Sequence, residues 1–207
     1  MNLLTRHLTG IVDFRGRENR QPFWLWILIV YIVQFIVMII AMIPIMMEMV
    51  DQMAPAIRVD PQRFNRDPQA MAQLMAPMMQ NMMTMTIALA VFFTLMTAAA
   101  AVRRLHDSNR SGWWAVPYYL MQIVSPLVSA AIMPRYVATM MAINAHPGTP
   151  PNPADPAFAQ AAQTMSLMSL TSLLGFALMV MMIVFLVLPG TVGPNRFGDD
   201  PLQPPFH

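Results

Sequence analysis

The chain has 207 residues, of which 57% are hydrophobic and only 11% charged, against roughly 25% charged in a soluble domain. Its 12 basic residues are all arginine, and a net charge of +2 spread around helix ends does not suggest a nucleic-acid partner; none is expected. The absence of cysteine rules out disulfides and thiolate metal sites.

Residues 2–14 come first. Leu4, Leu8, Ile11 and Val12 follow helical spacing, with Arg6 and His7 on the other side. That is the pattern of a short helix lying in a membrane interface, with a mobile tail, given Gly10, as the alternative. Then Asp13, Arg15, Arg17, Glu18 and Arg20 precede Pro22, Phe23, Trp24 and Trp26. Arginines at the water side followed by aromatics are the mark of a helix entering a bilayer. The apolar run begins only at Phe23 and reads as a retained span, not a cleaved signal.

About 20 apolar residues are enough to cross the hydrocarbon. The expected spans are 23–47, 82–102, 113–133 and 166–188, forming one integral-membrane domain over 1–207. Between the first two lies a loop, 48–81, rich in Met, Pro and Gln; Asp67-Pro68 within it is a helix start that would run on into the second span. Span three carries Pro117, Pro126 and Gln122. A second loop, 134–165, contains the Pro-rich run from His146 and another helix start at Asp155-Pro156. In span four Ser166, Ser169, Ser172 and Gly175 recur every third residue, a stripe that lets a neighbour come close. The tail, 189–207, is broken into turns by glycine and proline.

Orientation follows from arginine. Eight of the 12 lie in the N-terminal segment, the patch 103–110 and the tail, and four lie in the two loops. The positive-inside rule therefore puts both termini and the patch in the cytoplasm and the loops outside. Asn19–Trp24 also aligns with Asn109–Trp114, and Asp67-Pro68 with Asp155-Pro156. Either two hairpins are a parallel repeat, or every helix entering from the cytoplasm favours arginine followed by aromatics.

Three segments together carry a resemblance: Phe14-Arg-Gly-Arg-x-x-Arg-x-x-Phe-Trp, Arg103-Arg-Leu-His-Asp-x-x-Arg-Ser-Gly-Trp-Trp and Gly193-Pro-Asn-Arg-Phe-Gly-x-x-Pro. The chain resembles the small bacterial inner-membrane proteins grouped as domain of unknown function 805. Its long outward loops and abundant Met depart from the compact form of that family. The resemblance implies a helical, multi-pass protein of the bacterial inner (plasma) membrane, and it brings no activity with it.

These segments share one expected face, where Arg15, Arg17, Arg20, Arg103, Arg104 and Arg110 can meet Asp13, Glu18, Asp107, Asp199 and Asp200. One reading is a structural clamp of arginine–carboxylate pairs in which the tail ties the helix ends together. The other is a site for anionic lipid headgroups or phosphate. The candidate residues for either are Arg15, Arg17, Arg20, Arg103, Arg104, His106, Asp107, Arg110, Trp113, Trp114, Asn195, Arg196, Asp199 and Asp200. His106 beside Asp107 is no dyad, since adjacent helical residues point about 100° apart. With no nucleophile signature, no catalytic residue is expected.

The Met71–Met85 cluster suits a soft Cu(I) site in type, but 24 methionines spread through the chain serve as apolar filler, so no metal or cofactor is expected. No Asp, Glu, Lys, Arg or His interrupts a span, which argues against an ion-coupled transporter; Gln34 and Gln122 are the residues that would line a path. The expectation is an all-α membrane protein with four transmembrane helices, an interfacial N-terminal helix and two helical extracytoplasmic extensions. Its expected role is non-enzymatic, an accessory or assembly protein contacting membrane lipids, a membrane-protein partner or a second copy of itself. A small-solute or ion transporter or channel is the alternative.

Overall fold

The protein is described by a computed structural model covering residues 3–59, 68–144 and 156–202. Among these residues the regular structure is helical: α1 (Leu3–Thr9), α2 (Arg20–Val59), α3 (Pro68–Asp107), a 3₁₀ turn (Gly112–Ala115), α4 (Val116–Asn144) and α5 (Pro156–Val187). Four helical stretches are long and apolar enough to cross a membrane: Arg20–Val59, Met75–Asp107, Gly112–Met140 and Pro156–Val187. The helices outrun the expected spans, because Met, Gln and Ala in the flanks are good helix formers, and they continue through Pro55, Pro77 and Pro134. α3 and α5 begin at Pro68 and Pro156, where a missing N–H is harmless. The expected caps Asp67 and Asp155, and the run from His146, lie outside the described residues.

α1 is shorter than the expected 2–14. It stops at Thr9, and the chain turns through Gly10, whose carbonyl accepts from Asp13 N at 3.1 Å. α3 ends in a Schellman motif: Arg110 N donates to Leu105 O at 2.9 Å and Asn109 N to His106 O at 3.0 Å. Asn109 sits at the left-handed position with φ 57°, which asparagine tolerates better than most residues. Ser111 then accepts from Trp113 N and starts the 3₁₀ turn.

The chain divides into two compact units, and the boundaries fall inside the helices. One comprises Met38–Ala88 and Ser125–Leu173; within it Glu48 accepts from Gln52 and Asn81. The other comprises Met1–Val37, Leu89–Val124 and Leu174–His207, and it holds the main core. Phe23, Trp26 and Val30 of α2 pack with Phe93, Ala100, Ala101 and Leu105 of α3, Tyr119 of α4, and Met182 and Leu186 of α5. In lipid, apolar surface alone does not pull helices together, so close packing and hydrogen bonds carry the association. The alanines near the end of α3 allow the close approach. Trp26 Nε1 donates to Met96 O at 2.8 Å, and Tyr119 Oη to Thr97 Oγ1 at 3.0 Å. The outer faces of the same helices expose large residues such as Leu28, Phe35, Leu120 and Phe176, the arrangement of helices bathed in hydrocarbon.

Candidate functional site

The site is built where α3 ends. Arg103, Arg104 and Asp107 occupy its last turns, and their spacing splits their directions. Arg103 turns toward the N-terminal segment. Its Nε donates to Glu18 Oε2 at 3.0 Å, and its Nη1 to the carbonyls of Gly10 and Asp13 at 2.9 and 2.5 Å. The main chain joins in, with Glu18 N donating to Arg103 O at 3.1 Å. Arg104, with no exposed surface, turns toward the end of α5. It donates to Leu186 O, Leu188 O and, three residues ahead in its own helix, Asp107 Oδ2. The carbonyls at a helix C-terminus carry partial negative charge, so a guanidinium is a fitting cap there.

Arg17 completes the core of the site. Its Nε donates to Asp107 Oδ1 at 3.1 Å, its Nη1 to Gly193 O and its Nη2 to Thr191 O, both at 2.6 Å. The tail is held from the other side as well, because Thr191 N donates to Asp107 O at 2.8 Å. Gly190 passes so close to Asp107 that a Cβ there would lie 2.8 Å from its carboxyl carbon. The tail then closes on itself through paired bonds between Asn195 and Gly198. Asn195 Nδ2 donates to His106 O at 3.0 Å, and Phe197 stacks flat on the His106 ring at 3.8 Å. His106 Nδ1 donates in turn to Gly16 O at 3.2 Å.

The expected site residues thus separate into two sets. Arg17, Arg103, Arg104 and Asp107 are buried and spent on one another and on backbone carbonyls. Asn195 and His106 belong with them as tail fasteners. Arg15 and Arg20 are exposed and pair with no carboxylate among the described residues. Arg110 lies over the Phe185 ring at 4.4 Å, and Trp114 meets the same ring edge-on. Exposed Arg196 reaches Asn109 O. Trp113 is 78% exposed. Of the two tail carboxylates, Asp199 is exposed, and Asp200 caps Gly193 N and Leu202 N. Those hydrogen bonds, that from Leu202 first, hold the Asp200 carboxyl below its ordinary value.

One participant differs from the sequence reading. His7, expected on the solvent side of the first helix, is only 1% exposed. It stacks on Trp26 at 4.8 Å and pairs with the fully buried Glu18. Leu3, His7 and Gly10 share a helix face, and Gly10 leaves room for the Arg103 guanidinium beside it. That small neighbour is the signal the sequence carries. For Glu18, burial pushes the carboxyl up, but the His7 hydrogen bond and the Arg103 charge outweigh it and hold it below its ordinary value.

No curated protein and no solved structure matches the chain significantly. The profile of one family does, across residues 11–199. That range includes the buried Arg17, Glu18, Arg103, Arg104 and Asp107. The chain belongs to the family described as Protein of unknown function (DUF805).

Proposed function

We propose that the chain is a multi-pass protein of the bacterial inner membrane with a non-enzymatic, accessory or assembly role. In this reading the arginine-rich helix ends and both termini are cytoplasmic, and the far ends of the helices extend outside. α1 lies in the interface, its exposed Leu4 and Leu8, followed by Val12 and Phe14, directed at the acyl boundary. The division of the arginines is the observation that carries the proposal. Arg17, Arg103 and Arg104 act as the clamp, whereas Arg15, Arg20, Arg110 and Arg196, outside it, engage anionic lipid headgroups or the acidic flank of a membrane-protein partner.

The test is native mass spectrometry from nanodiscs containing phosphatidylglycerol, wild type beside the Arg15→Gln/Arg20→Gln/Arg110→Gln/Arg196→Gln variant. Each surface arginine contributes about 1 kcal/mol toward anionic lipid, so the variant should retain far less lipid while staying folded. Equal retention would remove the lipid reading.

Transport is the second reading. It is favoured by Gln34 Oε1 and Thr94 Oγ1, two buried oxygens that lack a hydrogen-bond partner among the described residues. It predicts that Gln34→Leu alters solute flux into proteoliposomes without unfolding the protein.

A further inference from the structure

Arg110 differs from the other arginines near the helix ends. Arg17, Arg103 and Arg104 are buried and engaged by carboxylates and carbonyls, and Arg15, Arg20 and Arg196 are exposed. Arg110 is half-buried, yet its guanidinium makes neither a hydrogen bond nor an ion pair among the described residues. It lies over the face of Phe185, 4.4 Å from the ring centre. Stacking occupies the face of the guanidinium and leaves its in-plane N–H donors unused. Taking a charged group part-way out of water without a partner is costly. A half-buried, unused fork therefore marks a place for an acceptor from outside the chain.

The backbone around Arg110 is held in place. Arg110 N donates to Leu105 O at 2.9 Å, and Ser111 Oγ accepts from Trp113 N at the start of the 3₁₀ turn. Gly112 passes so close to α3 that a Cβ there would lie 2.6 Å from Val102 Cγ1. Trp114 meets Phe185 edge-on with ring centres 5.4 Å apart, so Arg110 and Trp114 share one aromatic partner. Farther along, α4 and α5 stay close, since a Cβ on Gly175 would lie 3.8 Å from Met121 Cγ. Val116, Leu120 and Val124 recur every four residues, so α4 presents an exposed apolar face from its first turn onward.

We propose that Arg110, Trp114 and Phe185 form the seat of one anionic phospholipid, with the headgroup phosphate in the open fork of Arg110 and an acyl chain along the exposed face of α4. The proposal rests on the lipid reading above and narrows it from four arginines to one. Charge and shape select the occupant. A phosphodiester presents two oxygens that a guanidinium fork matches. Tryptophan favours the level between headgroup and chain, and the apolar face offers nothing to a free phosphate. A zwitterionic headgroup would bring its own cation to the same guanidinium, so an anionic lipid is preferred.

The test is native mass spectrometry from nanodiscs of equimolar phosphatidylglycerol and phosphatidylcholine with the same acyl chains. Wild type should leave the disc with phosphatidylglycerol retained in preference. Arg110→Gln should lower that preference about fivefold, one arginine's share of the attraction to an anionic headgroup, and Arg110→Lys should recover part of it. Arg15→Gln/Arg20→Gln/Arg196→Gln should leave it unchanged, and excess inorganic phosphate should not displace the lipid. If the triple variant loses the preference and Arg110→Gln keeps it, the lipid reading stands and this seat is overturned. If every variant, the quadruple one included, retains lipid as wild type does, both fall. Equal losses in the single and triple variants, a lysine variant no better than glutamine, or displacement by phosphate each overturn the seat as well.

Discussion

Arg17 and Asp107, 90 residues apart in the chain, are joined side chain to side chain by a bond of 3.1 Å. The same carboxylate takes Arg104 on its other oxygen, so one buried acid is shared by two buried guanidiniums. Asp107→Asn keeps the shape and removes the charge. It should cost about 3–5 kcal/mol, because each arginine is left buried without its counter-ion. Thermal unfolding in mild detergent measures this loss. Adding Arg17→Met should recover part of it, since one orphaned charge is then gone; simple addition of the two penalties would show that the pair does not interact.

The close pass of Gly190 gives a second expectation. In Gly190→Ala the new methyl meets Asp107, whose oxygens are fixed by Arg17 and Arg104 and cannot yield. Overpacking of this sort costs about 1–3 kcal/mol. Gly175→Ala is the control, with its methyl 3.8 Å from Met121 Cγ, an ordinary contact. Inside a helix that change should be neutral or stabilising by up to about 1 kcal/mol. Midpoints of unfolding for the two variants should move apart.

Acid should weaken the same end of the molecule. The Glu18 carboxyl is held below its ordinary value of 4.5 by His7 and Arg103 against the effect of burial. A depressed carboxyl contributes stability above its unfolded value and loses it as pH falls through the folded one. Melting temperature in wild type should therefore decline below about pH 4.5. Glu18→Gln should lower the plateau and flatten that acid limb. An acid limb of the same slope in the variant would place the titration elsewhere.

Asn109 tests the turn that leads α3 into the 3₁₀ helix. Its φ of 57° is one that glycine adopts freely and a β-branched residue resists. Asn109→Gly should change stability by only a few tenths of a kcal/mol, and Asn109→Val should cost about 1–2 kcal/mol. Equal effects would mean that the turn rearranges.

Much of the fold is local, and the sequence by itself determined it. Long apolar runs can satisfy their backbone in hydrocarbon only as helices, so four spanning helices follow from composition and length. Pro68 and Pro156 mark the starts of α3 and α5. The three arginine-bearing segments could also be placed together, because each lies at a helix end of the same charge bias.

What the sequence could not assign is the work of each arginine. Arg15 and Arg17 are two residues apart, yet Arg15 is exposed and Arg17 is enclosed by the tail and Asp107. Neighbouring Arg103 and Arg104 reach different partners, Glu18 and the end of α5. His7 looked like the polar side of a surface helix until Trp26 and Glu18 were seen to cover it. These outcomes depend on helix rotation and on how the tail folds back across the ends. For the arginines the partners lie far along the chain, from 82 residues (Arg104 to Leu186) to 176 (Arg17 to Gly193), and no local pattern records which side chain will face them.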